Sequence, residues 1–200
     1  MANLTFDPEK HVYCLDGQQV PSVTQILRTL GIIDMRWATE HALERGTAVH
    51  QAIQFLVEDD LDWSTVTPEI APYLDAFRQF AGDVELQVND TEMIVYSPTH
   101  RYAGRLDLLA TVQGERAIIE IKTGKALDWV NLQLAAYAMC YDGVLPARFC
   151  LELRANGTYR LTEHRKPTDL SEWMSCLAVY QIRKRTGTLN GGNNGNGVEE

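Results

Sequence analysis

The run Ile118-Ile119-Glu120-Ile121-Lys122 constrains the fold more than any other stretch of the chain. Three β-branched residues in five favour an extended backbone. In a strand the side chains alternate faces, so Glu120 and Lys122 share one face while Ile119 and Ile121 share the other and can enter a core. Gly104-Arg105-Leu106-Asp107 precedes it on another strand-like stretch, and Thr123-Gly124 gives a sharp exit behind it. Residues 103–112 and 116–122 therefore read as two strands joined by a turn at Gln113-Gly114-Glu115. If they pair antiparallel, Asp107 falls opposite Ile121 and within diagonal reach of Glu120.

The rest of the chain supplies helices around these strands. Asp16-Gly17 suits a tight turn between His11–Leu15 and Gln18–Val20. Ser22 or Thr24 can cap a helix to about Leu30, which Gly31 would end. From Trp37 to about Asp59, apolar residues recur at helical spacing, with Gly46 a cost unless something packs close. The acidic stretch Glu58–Asp62 reads as a solvated loop, and Thr67-Pro68 as the start of a helix with proline at its first position. Residues 84–96 read as strand, Asp128 to Tyr141 as an amphipathic helix, and residues 147–154 and 158–162 as a hairpin around Asn156-Gly157. A last helix runs from Leu170 to about Arg185 with Thr168 or Asp169 as its cap. The Gly- and Asn-rich tail from Thr186 cannot bury apolar surface and is expected to be disordered. The order implies an α/β fold, a mixed central sheet flanked by helices. One domain is expected over residues 1–185: a helical lobe over about 21–82, a core over about 84–162, and the C-terminal helix over about 169–185.

Composition narrows the function classes. The chain has 200 residues and a net charge of -9, from 18 basic and 27 acidic residues. That sign disfavours loose coating of nucleic acid by bulk charge, although ions at a carboxylate cluster would offset it locally. There is no export signal and no apolar run of roughly 18 residues, so a cytoplasmic location and no membrane contact are expected. The four cysteines, at 14, 140, 150 and 176, form no CxxC pair and read as reduced.

Asp107, Glu120 and Lys122 have the chemistry of phosphodiester hydrolysis. Magnesium takes hard oxygen ligands and keeps several waters. It polarises a phosphoryl oxygen and makes bound water more acidic. The Ile121 backbone carbonyl is a possible third oxygen ligand. Lys122 can orient the attacking water or stabilise the pentacoordinate phosphorus. Beside two carboxylates it should stay protonated, so no general-base role follows for it. Gln133 and Tyr137 lie four residues apart on one helix face. Gln133 can hold a phosphate or a metal-bound water, and Tyr137 can pack beneath the site or stack on a base. Both also fit an ordinary helix rim.

Together these residues resemble the PD-(D/E)XK nuclease superfamily, in its RecB-like exonuclease branch. The resemblance implies a restriction-endonuclease-like core. It implies that Asp107 and Glu120 bind one or two Mg2+ or Mn2+ ions, that Lys122 is catalytic, and that Gln133 and Tyr137 form the trailing Q-x-x-x-Y motif. Gly46-Thr47-Ala48-Val49-His50 resembles the branch's upstream histidine element, making His50 a metal ligand, and a nitrogen ligand favours manganese. Glu92, within Asp90–Val95, resembles the acidic residue often found before the G-x-x-D strand. Pro21–Leu27 and Trp37 resemble the opening of the mitochondrial genome maintenance exonuclease and related phage proteins. Some relatives hold an iron-sulfur cluster with one early and three late cysteines. The late spacing here is wrong for that, and no cluster is expected.

Arg105 and Lys125 are nearest the site and are the expected phosphate contacts. Arg36 and Trp37 are expected in an arch over the DNA, with Trp37 stacking on a base or anchoring the helical lobe. The clusters His164–Lys166 and Arg183–Arg185 fit solvated helix ends equally well. The implied function is metal-dependent DNA exonuclease activity in phage or bacterial recombination, repair or end processing. DNA with a free end or in single strands is the implied partner, with a single-strand annealing or binding protein beside it. The alternatives are a single-strand or structure-selective endonuclease on the same site, or a non-catalytic nucleic-acid-binding subunit. Cleavage polarity and oligomeric state have no signature in the sequence.

Overall fold

The computed structural model describes residues 3–34, 36 and 38–189. Trp37 and the tail from residue 190 lie outside the described residues. The chain opens with three short strands, β1 (Leu4–Asp7), β2 (Val12–Leu15) and β3 (Gln18–Val20), paired antiparallel in that order. β2 and β3 are the expected hairpin around Asp16-Gly17, whereas β1 has no clear alternation and was not foreseen. Helix α1 (Val23–Thr29) follows. Ser22 caps it: its Oγ accepts from Gln25 N at 3.1 Å, and Gln25 Oε1 accepts from Ser22 N at 2.9 Å. A cap of this kind is worth about 1 kcal/mol.

Helix α2 (Glu40–Val57) begins three residues later than its periodicity suggests, because Thr39 caps it by accepting from Ala42 N at 3.2 Å. No close packing demands glycine at position 46: a Cβ there would lie 3.5 Å from Thr123 Oγ1, in ordinary contact, so the helix carries glycine's propensity cost. Asp62 caps a 3₁₀ turn at Trp63–Thr65. Helix α3 (Ala71–Asp83) does not start at Thr67-Pro68. The Thr67 carbonyl instead closes a turn with the N–H groups of Ile70 and Ala71, and Pro72 takes an early helical position where its missing N–H costs nothing.

Five strands form the main sheet: β4 (Gln87–Ser97), β5 (Tyr102–Val112), β6 (Glu115–Thr123), β7 (Ala147–Leu153) and β8 (Tyr159–Glu163), in that spatial order. β6 and β7 are parallel and the other neighbours antiparallel. Helix α4 (Val130–Ala138) makes the crossover between the parallel pair and is shorter at both ends than expected. Helix α5 (Thr168–Arg185) closes the chain. Neither Thr168 nor Asp169 caps it. Asp169 is buried in its first turn, where it accepts from Asn131 Nδ2 at 3.0 Å and lies 3.4 Å from Arg148 Nη1, tying α5 to α4 and β7.

The sheet separates two cores. On one face α1, α4 and α5 bury Ile26, Leu134 and Trp173 against Leu106 and Ile118. On the other, α2 and α3 bury Val49, Ile53, Leu74 and Phe77 against Leu108, Ile119 and Ile121. The helices of the expected lobe thus share a core with the sheet. Among the described residues no helix is long and apolar enough to cross a membrane.

Candidate metal centre and nucleic-acid cleft

The site lies where β5 and β6 part. Their ladder runs from Val112↔Glu115 to Leu108↔Ile119 and stops there. The connecting turn is Gln113-Gly114, two residues rather than three. Both take left-handed backbone angles, φ +51° and +82°, as a two-residue hairpin turn requires. The register is therefore one residue shorter than expected, and its continuation would set Asp107 opposite Glu120 instead of Ile121. β4 stays paired with β5 as far as Ser97↔Tyr102, and β7 stays with β6 as far as Thr123↔Leu153. On the vacated edge of β5, the Pro21 carbonyl accepts from Ala103 N at 3.1 Å, and Ser22 bridges Ala103 in parallel.

Asp107 sits at the crotch of this fork. Its Oδ2 accepts from Ile121 N at 2.6 Å, satisfying a backbone donor of β6 beyond the end of the ladder. Its Oδ1 lies 3.3 Å from His50 Nδ1. His50 is presented by α2, whose buried Val49 and Ile53 anchor the helix with roughly 1.5–3 kcal/mol each. Glu92 comes from β4, directly across from Asp107, with Oε1 3.9 Å from His50 Nδ1 and Oε2 2.8 Å from Arg105 Nε. Glu92 has φ +51° within its strand, an uncommon conformation for a residue with a side chain. Ligand atoms of His50, Glu92 and Asp107 lie within 4.8 Å of one another. One nitrogen and two carboxylate donors, partly shielded from water, suit a divalent ion.

Glu120 stands beside this trio, 3% exposed. Its Oε1 accepts from Lys122 Nζ at 2.8 Å, while its Oε2 is buried without a partner. A buried carboxylate oxygen in that state is costly unless a cation or donor reaches it. Lys122 also points at Gln133 Oε1, 3.5 Å away, and Gln133 Nε2 donates to Tyr137 Oη at 2.9 Å. Tyr137 lies against β5 at Gly104, where a Cβ would sit 2.5 Å from its ring. Glycine is what permits that approach. Ile121 lines the same cleft.

The charges set one another. Burial works against a charged His50, but the carboxylates of Asp107, Glu92 and Glu120 outweigh it and raise the imidazole to about 10. Burial and the neighbouring Asp107 charge push Glu120 up to about 7, against the pull of Lys122. Burial also opposes the Lys122 ammonium, yet Glu120 and Asp107 hold it above its ordinary range. Burial would raise Asp107, and His50, Lys122 and the Ile121 N–H together bring it below the usual carboxylate range. Without a metal the centre is thus an ion-paired cluster with the imidazole protonated.

These residues share one cleft of about 920 Å³, which also takes in Ser22, Thr24, Gln25 and Arg28 of α1 and its cap, Gln51 and Gln54 of α2, His11 in the β1–β2 turn and Tyr13 of β2. The sequence marks Ser22 and Thr24 as helix caps and Pro21–Leu27 as part of the resemblance, but gives none of these residues a place in the site. On α1 a signal existed: Thr24, Gln25 and Arg28 lie opposite the buried Val23, Ile26 and Leu27. For Tyr13 there was none. Among the expected DNA contacts, Arg105 lines the cleft and is held by Glu92. Lys125 is exposed but is not part of the lining, and Arg36 pairs with Asp34 at 2.7 Å. The four cysteines are free thiols, and none belongs to the metal-binding group among the described residues.

No protein-family model matches the sequence, and no curated protein matches it. Solved structures do. An alkaline exonuclease from Laribacter hongkongensis is similar over 83% of this chain and 77% of its own, with 14% identity and a TM-score of 0.50. A candidate exonuclease from Eubacterium rectale is similar over 86% and 77%, with 11% identity and a TM-score of 0.52. The chain shares the fold of these two structures, a restriction-endonuclease-like core with helices on both faces of a mixed sheet.

Proposed function

We propose that this protein is a divalent-metal-dependent deoxyribonuclease of the exonuclease kind, acting as one unit over residues 1–185. The observation that carries this reading is the convergence of His50, Glu92 and Asp107 from three separate elements at the β5–β6 fork, beside the chain Glu120–Lys122–Gln133–Tyr137. His50, Glu92 and Asp107 would hold the ion, with Glu120 and the Ile121 carbonyl as further ligands. The unpartnered Oε2 of Glu120 supports a position for a cation there. When bound, Mg2+ or Mn2+ supplies charge at a phosphoryl oxygen and a more acidic water.

The chain's own groups do the rest. Lys122, kept as an ammonium, donates to the charge that builds on the phosphoryl group. Gln133 and Tyr137 fix its direction. Arg105 and the polar wall of α1 meet the flanking phosphates. The substrate is DNA with a free end or in single strands. The setting is recombination or end processing in a bacterial or phage-infected cell, with a single-strand annealing or binding protein as partner.

The test is digestion of end-labelled linear and circular single strands with Mn2+, using wild type and Asp107→Ala. Loss of label from linear strands alone, absent in the variant, is expected. Cutting of circles identifies an endonuclease, and binding without cutting by wild type overturns the catalytic reading.

A further inference from the structure

Trp129 immediately precedes α4, and Gln133 and Tyr137 follow it at successive four-residue steps. Three side chains at this spacing stack along one face of a helix. Gln133 and Tyr137 meet Lys122 directly and through one hydrogen bond. Trp129 meets it too: Lys122 Nζ lies 5.1 Å from the centroid of the indole ring. Trp129 packs against the core beneath α4, and its buried Nε1 has no hydrogen-bond partner. Packing and the ammonium, rather than a polar anchor, therefore hold the ring. The Lys122 stem has four rotatable carbons and its side chain is 24% exposed, so Glu120 alone would leave it free to swing toward solvent.

We propose that Trp129 is a positioning residue for this reaction. Its ring face and the Gln133 carbonyl flank the Lys122 ammonium and keep it aimed across Glu120 into the cleft. The motif on α4 thus begins one turn earlier than Gln133. The inference rests on the nuclease reading for its catalytic consequence, but not for the contact itself.

Two measurements separate the two claims. With Mn2+ and a linear single strand, Trp129→Leu is expected to lower kcat about tenfold, with KM within about twofold, and Trp129→Phe to keep about a third of the wild-type kcat. A raised KM with unchanged kcat would make Trp129 a DNA contact, and equal activity of the Leu and Phe variants would make it packing alone. Either result overturns the proposal. Should Trp129→Leu not fold, the series Trp, Tyr, Phe serves, and a flat kcat along it counts against the role.

The second measurement needs no activity. In a double-mutant cycle on the metal-free protein, the urea-midpoint shift caused by Trp129→Phe is expected to shrink by about half when Lys122 is Met. If wild type does not cleave DNA but the coupling is found, the nuclease reading falls and the contact stands. Additive shifts overturn the contact whatever the activity.

Discussion

The two halves of β5 follow different rules. From Leu108 to Thr111 the strand is paired on both sides, and its burial alternates as far as Val112: Leu108, Ala110 and Val112 point into the core beneath α2 and α3. From Tyr102 to Asp107 it has lost β6, and its burial no longer alternates in the same way. Tyr102, Ala103 and Gly104 are all buried, and Leu106 packs into the opposite core from Leu108. The regular half needs only hydrophobic pattern and a turn. The forked half must satisfy strand edges that the sheet leaves open, and it does so with groups that also serve the site: the Asp107 carboxylate on Ile121 N and the Pro21 carbonyl on Ala103 N. An opening in a sheet places backbone donors and charged side chains together without a long loop.

The largest effect expected from this contrast is chemical. Asp107→Asn keeps the shape and an acceptor for Ile121 N–H but removes the charge. Cleavage should fall by roughly a thousandfold. Thr111→Val, in the paired half, loses only the 3.2 Å contact to Asn89 and should leave cleavage within about twofold. A comparable loss from both would erase the distinction between the halves.

Protonation gives the next effect. A His50 raised to about 10 stabilises the metal-free fold fully below its unfolded value near 6.5, and that contribution is lost as pH rises through about 10. An ion needs the neutral imidazole, so Mn2+ must displace a proton at every pH below about 10. Its apparent affinity should rise about tenfold per pH unit between pH 7 and 9, and more steeply below about 7 if Glu120 is also a ligand. Titration calorimetry in buffers of different ionisation heat reads the protons released. His50→Gln should flatten the slope, and a flat wild-type profile would place the ion away from His50.

Two glycines separate stability from chemistry. Gly114→Ala forces a side chain onto φ +82° in the hairpin turn, at about 1–2 kcal/mol. Gly104→Ala drives a methyl into the buried Tyr137 ring, at about 1–3 kcal/mol. Similar denaturation shifts are expected, but only Gly104→Ala should slow cleavage, because Tyr137 supports Gln133 and through it Lys122.

The regular half was legible in the sequence, and the fork was not. Alternation fixed which faces of β6 carry Glu120 and Ile121, and helical spacing put Gln133 over Tyr137. The turn is one residue shorter than its sequence suggests, because nothing about Gln113 signals its left-handed angle. Glu92 is suggested only by the resemblance of Asp90–Val95 to a known family, since a positive φ inside a strand follows from what the strand packs against. The parting of β5 from β6 is a long-range event. It depends on Pro21-Ser22, about eighty residues upstream, taking over an edge, and no local pattern records it.

The smallest predicted effect tests that replacement edge. Ser22 both caps α1 and bridges Ala103, so Ser22→Ala removes the capping box at about 1 kcal/mol while leaving the Pro21 carbonyl on Ala103 N. If the edge is held by its backbone bond and by the buried Val23 and Ile26, α1 stays in place and cleavage should change by less than about threefold. Amide exchange should then quicken at Gln25, whose N–H loses its acceptor, while Ala103 N–H stays protected. Loss of protection at Ala103 would mean that the cap, rather than the strand-like contact, keeps the fork filled. The forked half of β5 would then depend on a single side chain where the paired half depends on a ladder.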